Sequence, residues 1–241
     1  MKTIVIIPAR LKSTRLPDKV LLDLGGKPLI QRVYENCLLG IESSDIWIAT
    51  DDDSVRDVCL GFTNQVIVTK KEHESGTDRI AEAASNLNAD VIINVQGDEP
   101  FFDYSIISRL SKEFESEELQ LASVYSDISS KTELMDPNVV KVVLSVLGNA
   151  LYFSRYGIPY VREDIDFDIN LFKRHIGIYA YKKDFLDKFT KFPISGLERL
   201  EKLEQLRALE NGIAIKMIKI PFFEKGIDTL EDLQNARKRF N

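Results

Sequence analysis

Short apolar runs alternate with amphipathic stretches in the first part of the chain, and this rhythm constrains the fold more than any other feature. The apolar runs predict strands at residues 3–8, 45–49, 65–68 and 91–95, and the stretches between them predict helices at residues 29–39, 52–62 and 78–88. Strand–helix alternation of this kind predicts βαβ units and a Rossmann-like, mostly parallel sheet flanked by helices. Ligands bind such sheets at the loops that follow the strands.

The pattern changes after about residue 118, where strands follow one another with little helix between them. Strands are predicted at residues 121–126, 139–146, 150–154 and 175–182, with a hairpin turn at 147–149. We expect a single domain over residues 1–241, in which residues 120–185 form an inserted, partly antiparallel lobe for substrate and dimer contacts. Residues 197–210 predict one amphipathic helix and 214–220 a strand, and Thr229 with Asp232 predicts the capped start of a last helix.

Charge and composition exclude several classes of protein. The net charge of −6 argues against nucleic-acid binding, which needs a basic face. No apolar run reaches the roughly 18 residues of a membrane span and the start lacks a signal peptide, so we expect a cytoplasmic protein without stable membrane insertion. Cys37 and Cys59 predict reduced structural thiols. With two histidines and two cysteines, any metal is expected on carboxylates, which favours magnesium or manganese.

A basic loop follows the first predicted strand. Four cations, Arg10, Lys12, Arg15 and Lys19, and one acid, Asp18, fall within ten residues of an otherwise acidic chain. Arginine offers a planar fork to phosphate oxygens and lysine a point charge, so the loop predicts a site for a small phosphorylated ligand. The loop has neither a Walker A nor a GxGxxG motif. On spacing alone, a solvated polar loop remains the alternative.

Three further segments carry polar residues at predicted loop positions. Residues 73–79, HESGTDR, lie between a strand and a helix, where a glycine allows close backbone approach and the helix start can donate N–H groups. Residues 94–100, NVQGDEP, follow a strand, where carboxylates can hold a metal. Residues 226–229, GIDT, precede the last helix. Taken alone, each segment also fits a helix cap or a tight turn.

Together these strings resemble the 3-deoxy-D-manno-octulosonate (Kdo) cytidylyltransferases, or CMP-Kdo synthetases. Residues 8–19, PARLKSTRLPDK, are similar to the family's N-terminal signature, GKPLI at 26–30 continues it, and the three segments above occur in the family's order. The resemblance runs from Ile4 to Leu233. The sequence departs from the family at Asp18, where a small residue, often glycine, is usual, and at Val20, where proline is common.

The resemblance implies a fold of the nucleotide-diphospho-sugar transferase type and a homodimer. It implies transfer of CMP from CTP to Kdo, with release of diphosphate, for lipopolysaccharide biosynthesis. The implied catalytic residues are Arg10, Arg15, Lys19, Asp98 and Asp228, the last two as Mg²⁺ ligands. The implied nucleotide contacts are Pro8, Ala9, Arg10, Ser75, Gly76, Arg79 and Gln96. The implied sugar-acid contacts are Gln96, Arg155, His175, Tyr179, Glu204 and Gln205.

Three alternatives stay open at this point. The first is CMP transfer to a related acid, such as 8-amino-Kdo or a nonulosonic acid. The second is a sugar-1-phosphate nucleotidyltransferase, which would typically show a glycine-rich start that this sequence lacks. The third is a non-catalytic nucleotide-binding module, which the presence of both Asp98 and Asp228 disfavours.

Overall fold

The computed structural model describes residues 1–11, 16–73, 75–116, 118–163, 167–221 and 226–240. The chain divides into two compact units, unit 1 (Met1–Lys112 with Glu224–Asn241) and unit 2 (Glu113–Phe223). Unit 1 is therefore discontinuous, because the chain leaves it, builds unit 2 and then returns. The use of the middle region for substrate and dimer contacts stays a prediction.

In the described part of the chain, the strands and α-helices have the following bounds. The strands are β1 Thr3–Ala9, β2 Ile46–Thr50, β3 Val66–Val68, β4 Val91–Asn94, β5 Leu121–Asp127, β6 Lys141–Leu144, β7 Ala150–Ser154, β8 Lys173–Lys182 and β9 Ile215–Lys219. The α-helices are α1 Leu29–Cys37, α2 Asp53–Cys59, α3 Gly76–Ala84, α4 Ser105–Glu113, α5 Lys131–Met135, α6 Lys183–Phe189, α7 Gly196–Glu201, α8 Gln205–Glu210 and α9 Leu230–Arg237. Within these described ranges, no helix has the length and apolar character needed to cross a membrane.

Unit 1 is built on a parallel sheet with the strand order β3-β2-β1-β4. The side chains of β1 from Ile4 to Ile7 are almost completely buried, as expected of a parallel strand covered on both faces. Helix α1 buries the stripe formed by Leu29, Ile30, Val33, Tyr34 and Cys37, which has the spacing of an amphipathic helix. The predicted α/β class is confirmed.

The carboxyl ends of these parallel strands lie at one edge of the unit 1 sheet, and one glycine brings two of the following loops together. Strand β4 pairs with β1 only as far as Ile6, after which the chain turns. A Cβ on Gly97 would lie 2.8 Å from the Pro8 carbonyl oxygen, so only glycine fits there without backbone movement. The loop after β4 is thereby packed directly against the end of β1.

Unit 2 has a mixed sheet, in agreement with the predicted antiparallel elaboration. Strand β5 pairs antiparallel with β8 and parallel with β9, and the predicted hairpin is present as β6 and β7. The Lys141 side chain on β6 is fully buried, and its Nζ donates to the carbonyls of Asp136 (2.9 Å), Val139 (2.8 Å) and Arg155 (2.6 Å). Three carbonyl acceptors are what allow a lysine to be buried here.

One helix prediction is wrong. The amphipathic pattern over residues 197–210 predicts a single helix, but the structure has two, α7 and α8, separated by Lys202 in the left-handed conformation with φ 54°. At this break the Arg155 Nε donates to the Glu201 carbonyl at 2.8 Å, just where the first helix ends. Periodicity reports which residues share a face and contains no information about a distant arginine that caps a carbonyl.

Candidate active site

Three charged side chains of unit 1 converge although they lie far apart in the sequence. Lys19, the last cation of the basic loop, begins a short 3-10 helix, Asp98 follows β4, and Asp228 precedes α9. The Lys19 ammonium donates to Asp98 Oδ2 and lies 3.1 Å from Asp228 Oδ1. The structure therefore brings together three of the five residues predicted to be catalytic.

The two loops that carry the aspartates touch each other through backbone atoms. The Ile227 N–H donates to the Asp98 carbonyl at 2.9 Å. A Cβ on Gly226 would lie 2.8 Å from Glu99 Cδ and 2.9 Å from that same carbonyl oxygen, so a larger residue would push the loops apart. The Asp232 carboxylate accepts from the Asp228 N–H at 3.1 Å and forms a capping box with Thr229, which fixes the start of α9.

The electrostatics of this cluster depend on Lys19. Burial alone would lower the pKa of the Lys19 ammonium, but the carboxylates of Asp98 and Asp228 outweigh burial and raise that pKa above its ordinary value. The Lys19 side chain is 12% exposed, against 27% for Asp98 and 29% for Asp228. The lysine is therefore a charged and largely buried cation, and both aspartates remain accessible from solvent.

The donor set of this cluster fits magnesium. Asp98 Oδ2 and Asp228 Oδ1 both contact one cationic nitrogen, so the two carboxylates converge on a point where a positive charge is stabilised. Carboxylate oxygens are the ligands that magnesium prefers, and it commonly uses one or two of them together with substrate phosphates. Among the described residues there is no group of three or more histidine, cysteine or acidic side chains that could hold a metal ion.

The basic loop is only partly described. Pro8 and Ala9 are buried at the end of β1, and Arg10 follows them half-buried. Arg15 lies outside the described residues, as do residues 12–14. Asp18 is exposed and has φ 52°, in the left-handed region that favours glycine and tolerates aspartate. The family preference for glycine at this position therefore has a backbone reason, and the carboxylate of Asp18 is exposed to solvent.

The segment at residues 75–79 is held as a helix start. Ser75 is the N-cap of α3 and forms a capping box with Asp78, and Gly76 is the first helical residue. Arg79 has a fully buried side chain that donates to Thr69 Oγ1 and, through Nη2, to Asp51 Oδ2 at 2.9 Å. In this conformation Arg79 supports the loop ends after β2 and β3, and its contact with a nucleotide stays a prediction.

Gln96 is half-buried beside the aspartate loop, and its Nε2 donates to Asn94 Oδ1 at 3.3 Å. The structure thus places it two residues from Asp98 at the carboxyl end of β4. Its predicted contacts with nucleotide and sugar acid stay predictions.

Unit 2 contains two of the predicted sugar-acid residues on one strand. His175 and Tyr179 both lie on β8, with ring centroids 5.4 Å apart. Burial lowers the pKa of His175 to about 3, so its imidazole is neutral at physiological pH. Burial, followed by the neighbouring Tyr181 and Glu204, raises the pKa of Tyr179 well above its usual value. Both side chains therefore offer neutral hydrogen-bonding groups.

The hydrogen bonds of Ser123 assign the tautomer of His175. Ser123 Oγ donates to the Ile178 carbonyl at 2.9 Å and lies 3.0 Å from His175 Nε2. Because a hydroxyl has one hydrogen to donate, its lone pair accepts from the Nε2–H group of the histidine. His175 Nδ1 is then the unprotonated nitrogen and can accept a hydrogen bond.

We expect the His175 imidazole to make the protein less stable as the pH falls below about 6.5. The folded pKa of about 3 lies below the unfolded value of 6.5, so the unfolded chain binds more protons between these limits. In that window the wild type should lose up to about 1.4 kcal/mol of unfolding free energy per pH unit from this group alone. Urea denaturation of wild type and His175→Gln from pH 4.5 to 8 measures how the unfolding free energy of each changes with pH. An equal change in both proteins below pH 6.5 would contradict the prediction. Above pH 7.5 the unfolding free energies of the two proteins should change equally with pH.

The remaining sugar-acid candidates lie where α7 gives way to α8. Glu204 and Gln205 stand at the start of α8, and the buried Gln205 Nε2 has no hydrogen-bond partner within the part of the chain that the structure describes. The Arg155 guanidinium donates to the carbonyls of Glu201 (2.8 Å), Pro137 (2.9 Å) and Lys202 (3.4 Å). Arg155 is thus anchored by main chain, and its contact with a sugar acid stays a prediction.

Sequence reasoning missed three residues that hold the candidate site. Asp51 and Thr69 bind Arg79 from the ends of β2 and β3, and their position directly after predicted strands was a usable signal. Glu201 binds Ser154 and Arg155, and none of the sequence motifs included it. Its role depends on a contact between residues far apart in sequence, which no local pattern contains.

Comparison with known proteins adds an independent line of evidence. The profile of a family described as cytidylyltransferase matches residues 4–220. Proteins called 3-deoxy-manno-octulosonate cytidylyltransferase are similar over nearly the whole chain. The one from Chloroherpeton thalassium is 46% identical, covering 98% of this chain and 97% of the relative. The one from Flavobacterium johnsoniae is 45% identical, covering 98% of each.

A solved structure agrees closely with this fold. It is a CMP:2-keto-3-deoxy-manno-octonic acid synthetase complexed with CTP, with a TM-score of 0.93 and 39% identity over 99% of this chain and 98% of that one. Fold, charged cluster and relatives together define a nucleotidyltransferase. The chain belongs to the cytidylyltransferase family, within which it groups with the 3-deoxy-manno-octulosonate cytidylyltransferases, so the resemblance seen in the sequence is confirmed.

Proposed function

We propose that this enzyme transfers CMP from CTP to Kdo, giving CMP-Kdo and diphosphate for lipopolysaccharide biosynthesis. The observation that carries the proposal is the convergence of Lys19, Asp98 and Asp228, because these are residues that the resemblance assigns to charge handling at the triphosphate. The names of the full-length relatives and the CTP bound to the similar solved structure support the same reaction.

The proposed reaction is an in-line substitution at phosphorus. The C2 hydroxyl oxygen of Kdo forms a bond to the α-phosphorus of CTP, and the bond from that phosphorus to the diphosphate oxygen breaks. The hydroxyl proton passes to water. Such transfers depend mainly on positioning and on stabilisation of negative charge. Arg10, Arg15 and Lys19 would supply positive charge to the triphosphate and to the departing diphosphate.

We infer that Asp98 and Asp228 hold magnesium when nucleotide is present. Their oxygens already converge on one cationic centre, which supports this assignment. The bound ion would supply positive charge beside the transferred phosphate. The backbone contact between Ile227 and Asp98 would keep the carboxylates of Asp98 and Asp228 close together while nucleotide enters and leaves.

The sugar-acid side of the proposal rests on unit 2. A sugar acid presents a carboxylate and several hydroxyls, which need donors and acceptors that are largely neutral. The neutral His175 supplies an acceptor nitrogen and Gln205 a buried donor, Nε2, without a partner in the described chain. A buried donor of this kind is costly unless a ligand satisfies it, which supports a polar substrate at this place.

We further propose a homodimer that works in the cytoplasm. The β6–β7 hairpin exposes Val146, Leu147 and Leu151, an apolar set that supports contact between two copies of unit 2. Cys37 and Cys59 are free thiols, as is usual for proteins of a reducing compartment. Sedimentation velocity that gave only a monomer at micromolar concentration would exclude the dimer, and cell fractionation tests the compartment.

A substrate panel tests the proposed function. Diphosphate release is measured with CTP, UTP, ATP and GTP, each paired with Kdo, 8-amino-Kdo and a nonulosonic acid. We expect turnover with CTP and Kdo, with each other pairing at least about tenfold lower in kcat/KM, the difference that 1.4 kcal/mol of transition-state binding gives. Preference for 8-amino-Kdo would overturn the sugar assignment alone. Release with none of the acids would favour a non-catalytic nucleotide-binding module.

A further inference from the structure

We propose that Glu201 is a positioning residue for the sugar-acid side of the reaction. It would act by fixing where α7 ends, and therefore where α8 begins with Glu204 and Gln205. The inference rests on the proposed function, because those two residues are assigned to the sugar acid by resemblance. Four hydrogen bonds, together with the conformation of Lys202, carry it.

The Glu201 carboxylate ties the end of α7 to the end of β7. Its Oε1 accepts from Ser154 Oγ at 2.6 Å, and its Oε2 accepts from the Arg155 backbone N–H at 2.9 Å. Ser154 is buried, and Glu201 is partly buried. Both carboxylate oxygens therefore have donors, and both donors come from adjacent residues of one strand end.

The main chain at the end of α7 is bound in turn by the side chain of Arg155. Arg155 Nε donates to the Glu201 carbonyl at 2.8 Å, and its Nη2 lies 3.4 Å from the Lys202 carbonyl. The last carbonyls of a helix have no partner within the helix, and here the guanidinium takes that place. The Glu201 carboxylate thus accepts from the Arg155 backbone, and the Glu201 carbonyl accepts from the Arg155 side chain. We call this set of contacts among Glu201, Ser154 and Arg155 the latch.

The latch accounts for the bend between the two helices. Lys202 follows it in the left-handed conformation, with φ 54° and ψ 46°, which is unfavourable for a residue with a side chain. The sequence pattern alone favours a continuous helix over residues 197–210. In a continuous helix each residue turns by about 100° from the last, so Gln205 would face a different direction from the one it has after the bend.

A second contact keeps the two helices together independently of the latch. Arg207 on α8 donates to Glu198 on α7 through Nε (2.8 Å) and Nη2 (2.6 Å), and both side chains are buried. Loss of the Glu201 carboxylate should therefore change the direction of the first turn of α8 without unfolding the helix pair. This separates a positioning role from a folding role.

The experiment compares Glu201→Ala and Glu201→Gln with the matched control Glu210→Gln. Glu210 also joins α8 to α7, by accepting from the Leu197 N–H at 3.0 Å, but it is exposed and lies at the other end of α8. We expect Glu201→Ala to raise the KM for Kdo about tenfold or more, with the KM for CTP changed less than about twofold, as the loss of hydrogen bonds to a charged acceptor implies. Glu201→Gln should show a smaller rise, and Glu210→Gln none.

Hydrogen exchange gives a readout that does not depend on activity. Backbone amides of residues 202–206 should exchange faster in Glu201→Ala, while the melting temperature stays close to that of the wild type. Unchanged KM for Kdo and unchanged exchange would overturn the inference, as would an equal rise in both KM values. If Glu201→Ala fails to fold, the same comparison in Glu201→Gln decides. A wild type without turnover on CTP and Kdo would instead overturn the proposed function.

Discussion

Replacing Asp98 with asparagine should lower kcat for CTP and Kdo by about a thousandfold. Asparagine keeps the shape of the side chain but removes one of the two negative charges that converge with Lys19. Loss of a single preorganised charge-stabilising group in a catalytic site commonly has an effect of this size. The fold should persist, because Asp98 is partly exposed and Asp228 still pairs with the lysine.

The measurement combines activity with metal binding. Electron paramagnetic resonance of Mn²⁺ in the presence of CTP should show weaker binding to Asp98→Asn than to the wild type. Asp53→Asn is a matched control, because that carboxylate is exposed at the start of α2, where its partner is Arg56, and it should retain full activity. Activity of Asp98→Asn near that of the wild type, with unchanged Mn²⁺ binding, would remove the metal assignment.

Replacing Lys19 with methionine should lower kcat about a hundredfold, an effect much larger than its effect on thermal stability. Methionine fills a similar volume but has no charge, so the triphosphate loses a cation and the two carboxylates face each other without one. The repulsion between Asp98 and Asp228 acts on partly exposed groups, so solvent screens much of it. The catalytic loss should therefore exceed the loss of stability.

Steady-state kinetics and thermal denaturation, run on the same preparations, distinguish the two effects. Lys238→Ala is a suitable control, since that lysine donates to Asn235 at the end of α9, away from the cluster. A Lys19→Met variant with the activity of the control would show that Lys19 has no role in catalysis. If the loss of activity only matched the fraction of unfolded protein, Lys19 would have a role in stability and none in catalysis.

The parallel half of the fold was predictable because its signals are local. Each strand of unit 1 is a short apolar run, and each intervening helix has a buried stripe such as the one on α1. The start of the last helix was predicted from the capping box of Thr229 with Asp232. Helix α3 begins at Gly76, two residues before the predicted start at 78, because Ser75 and Asp78 form a capping box. The wrong prediction, the continuous helix over residues 197–210, fails where the decisive contact joins Glu201 to Arg155, 46 residues apart.

The residues of the charged cluster could be predicted from the sequence, but their arrangement in space could not. Sequence strings singled out Lys19, Asp98 and Asp228, and the structure joins them in one contact group. The strings could not reveal that Lys19 lies between the two carboxylates, since that geometry depends on the backbone contact of Ile227 with Asp98. From the sequence, Asp18 could be recognised only as a departure from the family pattern. Its left-handed backbone conformation explains why a small residue is preferred there.

The discontinuity of unit 1 has a consequence for how the protein is made. Lys19 and Asp228 are separated by 209 positions in the chain, and the segment from Glu224 onward returns to a unit whose other part ends at Lys112. During synthesis, the parallel strands and all of unit 2 emerge from the ribosome before Asp228 does. A nascent chain can therefore form the parallel strands and unit 2 before the contact group of Lys19, Asp98 and Asp228 is complete.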